Sequence, residues 1–211
     1  MMTEKYTREQ TAGFAAITNT LCTALLNKPS QEIIKSVHDI ALQMGMDDFG
    51  DFIADSAMEQ RFSDRFFVGS SSYYVPLYET SILGSYEQNG KTFFGAARGE
   101  RANHVKKCYQ SVGFEYSKIE GFDLAVSKLK PDSMASQLAF MSMLANNAVV
   151  NWDDNAVLKD KCIELLDVFI RQHPSVWFGV AANAMKKTDG DFYACVCSLA
   201  EAVTVAWIEE C

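Results

Sequence analysis

The sequence predicts an all-α protein, one bundle-like globule of about ten helices with a long irregular segment in its middle. Three observations carry that expectation. Apolar residues recur three or four positions apart through most of the chain, the period of a helix that buries one face. Ser, Thr, Asp, Pro and Gly fall where those runs begin and end, as caps and stops require. The two-residue alternation of a half-buried strand is missing from the first half of the chain.

Element by element, Thr7-x-x-Gln10 has the form of a capping box. Phe14, Ile17, Leu21 and Leu25 then recur at helical spacing until Pro29 stops the run. Ser30 is placed to cap a second helix that turns Ile33, Ile34, Val37, Ile40, Ala41 and Met44 inward and ends at Gly45. Asp47 or Asp48 opens a third, with Phe49, Phe52, Ile53 and Ala57. From Phe66 to Gly95 the helical phase weakens. The stretch is rich in Ser, Gly and Tyr and carries Pro76, so it reads as a structured loop with one or two short helices, a kind of segment that often bears function. Asn89-Gly90 is a hairpin-type pair, but its flanks, Ser85-Tyr86 and Thr92 to Phe94, are too short to predict strands.

Helix resumes from about Arg98 to Ser111 and closes at Gly113, with a short linker through Gly121. Pro131 starts the next helix, with Met134, Leu138, Met141 and Leu144 on one stripe. Asp153 or Asp154 caps another, carrying Val157, Leu158, Ile163, Leu166, Phe169 and Ile170 and ending at His173-Pro174. Pro174 opens a helix with Trp177, Phe178 and Val180. The last helix, from about Gly190 to Glu209, is apolar on almost every face, which places it centrally in a core.

The 211 residues suit one domain spanning 1–211, with possible lobes 1–120 and 121–211. With 27 acidic against 19 basic residues the net charge is −8, which repels nucleic-acid phosphates and anionic lipid and favours cationic partners. The same balance serves plain solubility. The six cysteines are scattered, most of them within apolar helical patterns, and the close pair Cys195-Val-Cys197 points to different faces of a helix. His38, His104 and His173 show no H-x-x-x-H spacing, so neither a metal nor a cofactor is expected, and the thiols read as reduced. The start lacks a basic segment followed by an apolar one, and no apolar run reaches the ~18 residues of a membrane span. A cytoplasmic protein, a monomer or homodimer without stable membrane insertion, is the expectation.

Catalytic motifs do not hold up. Gly84 to Thr92 ends in Gly-Lys-Thr like a phosphate-binding loop, but the required first glycine is Ser85, and neither a strand before nor a long helix after is predicted. Gly69-Ser70-Ser71-Ser72 is not a G-x-S-x-G elbow, and the acidic pairs sit where helix caps are needed. What remains is Tyr73 to Glu79, where aromatic rings, Pro76, Leu77 and a carboxylate share an irregular segment. Tyr rings grip a peptide at low entropic cost, although Tyr73 and Leu77 read equally well as core.

Four pieces then occur in a recognisable order. They are Tyr74-Val75-Pro76-Leu77-Tyr78-Glu79-Thr80-Ser81; Val105 to Tyr109 with Gly113-Phe114; Lys130-Pro131-Asp132-Ser133-Met134 with Leu138, Phe140, Met141 and Leu144; and His173-Pro174-x-x-Trp177-Phe178 with Phe192-Tyr193. Together they resemble the TorD/DmsD/NarJ-type redox-enzyme maturation chaperones over roughly Phe66 to Ile208. Three positions depart from that pattern: Ser133 stands for the usual His, Gln137 for the usual Glu, and no acidic residue precedes Lys130. The resemblance implies an all-helical chaperone, not an enzyme. It would bind the twin-arginine signal peptide, or a terminal segment, of a molybdenum-cofactor oxidoreductase until cofactor loading is complete. The alternatives are an assembly adaptor for a membrane-associated reductase that is never exported, and a helical nucleotide hydrolase. Paired arginines call for carboxylates, for which Glu79 and Asp132 are the candidates, and the apolar stretch for a groove. The expected peptide-binding residues are Tyr74, Pro76, Leu77, Tyr78, Glu79, Asp132, Ser133 and Met134, although Asp132 serves equally as a cap for its own helix.

Overall fold

A computed structural model describes residues 6–46 and 49–209. Ten α-helices follow in order among them: α1 (Arg8–Leu26), α2 (Gln31–Gln43), α3 (Ser56–Phe66), α4 (Glu79–Leu83), α5 (Glu100–Ser111), α6 (Asp123–Ser127), α7 (Met134–Val150), α8 (Ala156–Gln172), α9 (Pro174–Thr188) and α10 (Phe192–Glu209). The all-α expectation is met. Thr7 and Gln10 form the capping box, Ser30 caps α2, Gly45 and Gly113 take the positive φ of helix stops, and Pro174 begins α9.

The starts of three helices differ from expectation. Asp47 and Asp48 lie outside the described residues; the third helix begins at Ser56, capped by Asp55, so Phe49, Phe52 and Ile53 belong to a non-helical approach. Phe49 and Phe52 are recruited instead by aromatic packing, edge-on to each other at 5.3 Å and against Phe192. Asn155, not Asp153 or Asp154, caps α8 by accepting from Leu158 N–H. Pro131 precedes α7 rather than opening it, because Ser133 is the cap and accepts from Ser136 N–H at 3.2 Å.

The hairpin also forms. β1 (Tyr86–Gln88) pairs antiparallel with β2 (Lys91–Phe93) across a turn in which Asn89 and Gly90 both have positive φ, 53° and 70°. Turn chemistry and cross-strand contact outweigh length here. Tyr86 stacks on Phe93 at 5.4 Å, Thr92 bonds Glu87, and Lys187 ties Glu87 back to α9.

α10 lies in the core as its composition requires. Phe192, Tyr193, Ala194, Val196, Cys197, Leu199 and Ala200 are all fully buried. Its neighbours are α9 on one side and α1 on another, while α1 also packs along α7. Tyr6 stacks on Trp207 at 4.0 Å, so residues from both ends of the described chain meet in one continuous core. By length and apolar character α10 could cross a membrane, but 61% of it is buried inside the protein, as suits a core helix. Beneath the irregular segment, Arg65 has no exposed side chain. It donates to Asp191 at 2.8 Å, to Tyr73 O at 2.9 Å and to Asp189 O at 2.8 Å, while Arg61 pairs with Asp189 and Asp191 and covers the Tyr73 ring at 3.7 Å. That clamp fixes where the Tyr73 segment starts.

Candidate functional site

From its anchor at Tyr73 the chain runs without regular structure through Val75, Pro76 and Leu77, all buried, towards α4. There it meets the residues ahead of α7. Tyr78 and Ser133 form an isolated antiparallel bridge; Glu79 N–H donates to Asp132 O at 2.9 Å, and Met134 N–H donates to Leu77 O at 3.0 Å. The two segments picked out by sequence thus lie side by side. Asp132 does cap a helix, but not its own: its Oδ2 accepts from Thr80 N–H at 3.0 Å, in the first turn of α4.

Glu79 is fully buried and its oxygens are saturated. Arg101 donates to Oε1 at 2.9 Å, Gln137 to Oε2 at 2.8 Å, and His173 Nδ1 lies 2.9 Å from Oε2. Gln137 in turn accepts from Trp177 Nε1 at 3.0 Å. This suits the departure at 137, because the amide donates to Glu79 while accepting from Trp177, whereas an ionised Glu would face Glu79 with a second carboxylate and no donor. Burial pushes the Glu79 carboxyl up, but the hydrogen bonds and charge of His173, with Arg101 and Gln137, hold it below the usual range. For His173, burial pulls down, and the bonds and charges of Cys108 and Glu79 overcome it and raise the imidazole to about 9. On its far side His173 Nε2 is 2.8 Å from His104 Nδ1.

Beside the bridge is an apolar hollow of about 450 Å³, counting its open mouth, lined by Leu25, Leu26, Phe66, Phe67, Leu77, Tyr78, Ala125, Leu129, Ser133 and Ala135, with Lys128 at the edge. Tyr78, Lys128 and Leu129 also line a second hollow, with Tyr74, Pro76, Phe94 and Lys130. Ser127 and Leu129 carry it on to a third, which holds Glu120 and Asp123, both exposed. Lys130 already covers the Tyr78 ring at 4.5 Å and donates to Ala97 O. Burial, with the charges of Tyr74 and Asp132, pushes the Tyr78 hydroxyl up to about 12, so it stays protonated.

Placement of the expected residues follows from this. Tyr74 and Tyr78 are half-buried on the hollows; Pro76, Leu77 and Ser133 are buried but contribute to their walls. Glu79, Asp132 and Met134 have no exposed surface and lie behind the wall. Gly90-Lys91-Thr92 lies on the hairpin, with no helix N-terminus to complete a phosphate cradle; the next helix begins at Glu100.

The family model of the nitrate reductase delta subunit matches residues 39–183, more than half of the chain. The chain belongs to the nitrate reductase delta subunit family. This is a NarJ/TorD-type family of molybdoenzyme maturation chaperones, so the protein is a member of a chaperone family and not of a catalytic one. No curated protein and no solved structure matches the chain.

Within this delta-subunit family member, the matched region contains the bridge, the buried Glu79 network and the lining of all three hollows except Leu25 and Leu26 of α1. Sequence reasoning missed Glu120, Asp123, Lys128 and Leu129, which sit in what reads as a linker. The available signal was two carboxylates flanking Gly121-Phe122, ahead of the five-residue α6. It also missed His104-x-x-x-Cys108, whose four-residue spacing puts a ring and a thiol on one helix face.

Proposed function

We propose that this protein is a cytoplasmic chaperone that binds the twin-arginine signal peptide, or a comparable terminal segment, of a molybdenum-cofactor oxidoreductase and holds the precursor until its cofactor is in place. The observation that carries this reading is the apolar hollow shared by the Leu77-Tyr78 segment and the start of α7, continuous through Leu129 with a surface bearing Glu120 and Asp123. An apolar peptide stretch suits the hollow, with Tyr74, Pro76, Leu77, Tyr78 and Ser133 as contacts. Glu79, Asp132 and Met134 serve by holding that wall in shape. The paired arginines then go to Glu120 and Asp123, the exposed carboxylates on the same run of hollows, since Glu79 is saturated and Lys130 occupies the face of Tyr78.

Isothermal titration with the twin-arginine peptide of an oxidoreductase encoded beside this protein tests the proposal. The expected dissociation constant is micromolar or tighter, about −8 kcal/mol. Leu129→Asp should abolish binding, and Glu120→Lys with Asp123→Lys should weaken it more than tenfold. No binding by any such peptide would sink the export reading. The delta-subunit match favours a second reading, an assembly adaptor for a reductase that is not exported. Under it, a terminal segment lacking the arginine pair binds the same hollow, and the charge reversals change little.

A further inference from the structure

On α5, His104 and Cys108 lie one turn apart and face the same way. Opposite them is His173, pinned at the junction of α8 and α9 by Pro174. One ring nitrogen from each histidine and the Cys108 sulfur all lie within 4.8 Å of one another. His173 turns Nε2 towards this cluster because its Nδ1 is held 2.9 Å from the Glu79 carboxylate. A histidine ligand oriented and made more basic by a carboxylate on its other nitrogen is a recurrent feature of protein metal centres. His104 is exposed and Cys108 half-buried, so an ion has a way in and a fourth position open to water or another ligand.

We propose that His104, Cys108 and His173 bind a single zinc ion, with Glu79 as the positioning residue behind His173. Tetrahedral zinc at Zn–N of about 2.1 Å and Zn–S of about 2.3 Å needs donors roughly 3.3–3.6 Å apart. His104 Nδ1 and His173 Nε2 are 2.8 Å apart, so they must part by well under 1 Å on the order of that spacing. Two imidazoles and a thiolate suit zinc and exclude the hard, oxygen-seeking magnesium and calcium. None of its three ligands lines the hollows, so His104→Ala and Cys108→Ser test the metal apart from the peptide reading, with which the site shares only Glu79.

The test uses the full chain, reduced and stripped with chelator, and titrated with Co²⁺ while its absorption is recorded. One equivalent should give intense tetrahedral d–d bands in the visible and a thiolate-to-cobalt charge-transfer band in the near ultraviolet, both erased by Zn²⁺. Cys108→Ser should remove the charge-transfer band. His104→Ala, at an exposed position, should weaken zinc binding at least tenfold with an unchanged circular-dichroism spectrum. Glu79→Gln keeps all three ligands and should cost about 10–100-fold in affinity. Lack of a thiolate band in the parent protein, or its persistence in Cys108→Ser, would overturn the proposal, as would zinc affinity unaltered in His104→Ala.

Discussion

Glu79 shows how much one buried carboxylate can organise. It meets α5 through Arg101, α7 through Gln137 and the α8–α9 junction through His173. Such a charge is tolerable only while each partner stays, since an unpaired ion in the interior costs several kcal/mol. Gln137→Glu is therefore expected to destabilise the protein by about 3 kcal/mol or more, read as a fall in the urea midpoint, by removing a donor and adding a like charge. An unchanged midpoint would mean that the Gln137–Glu79 contact carries no weight. Asp189 offers a pH test away from this cluster. The hydrogen bond from Arg61, opposed by partial burial and helped by the charges of Arg61 and Arg65, lowers its carboxyl below the unfolded value of 3.8. A depressed carboxylate stabilises the fold above that value, and the contribution fades as pH falls through the lower, folded one. The parent's stability advantage over Asp189→Asn should thus hold from pH 7 to about 4 and shrink in more acidic buffer.

At the scale of elements, most of the fold was legible because helix caps are local chemistry. Thr7, Ser30, Gly45 and Pro174 act on residues within one turn of themselves, and a reader of the sequence sees both partners at once. Asp132 was illegible for the opposite reason. It caps α4, 52 positions earlier in the chain, and no window of sequence contains both. Asp132→Ala should cost about 1–2 kcal/mol, while Asp132→Asn, which keeps an acceptor for Thr80 N–H, should recover most of it. If Asn fails to recover stability, charge rather than capping is what the position requires. The hairpin forms despite short flanks because turn type outweighs strand length. Asn89 and Gly90 supply the backbone twist, and the Tyr86–Phe93 stack supplies the contact that three-residue strands otherwise lack.

Across the whole molecule, the candidate site was half readable. The Tyr74–Glu79 and Pro131–Met134 segments are adjacent, as a shared groove demands, but which side chains face it depends on α1, α3 and α6 closing around them. The sequence marks Glu79 as a carboxylate in an irregular segment, not as one that three partners bury. The net charge of −8 is a property of the entire surface, and its effect belongs to encounter rather than to contact. Association with an arginine-bearing peptide should slow severalfold between 50 and 500 mM salt, roughly, while dissociation changes less, as stopped-flow fluorescence would show. A rate indifferent to salt would detach the acidic surface from recognition.

The central position of α10 has a consequence for synthesis. Among the described residues the other nine helices precede it, so on the ribosome the faces of α1 and α9 that it covers must wait, uncovered, until it emerges. A nascent chain halted near residue 191 would hold nearly every helix and no completed interior. This member of a chaperone family closes its own core only once α10 has been made.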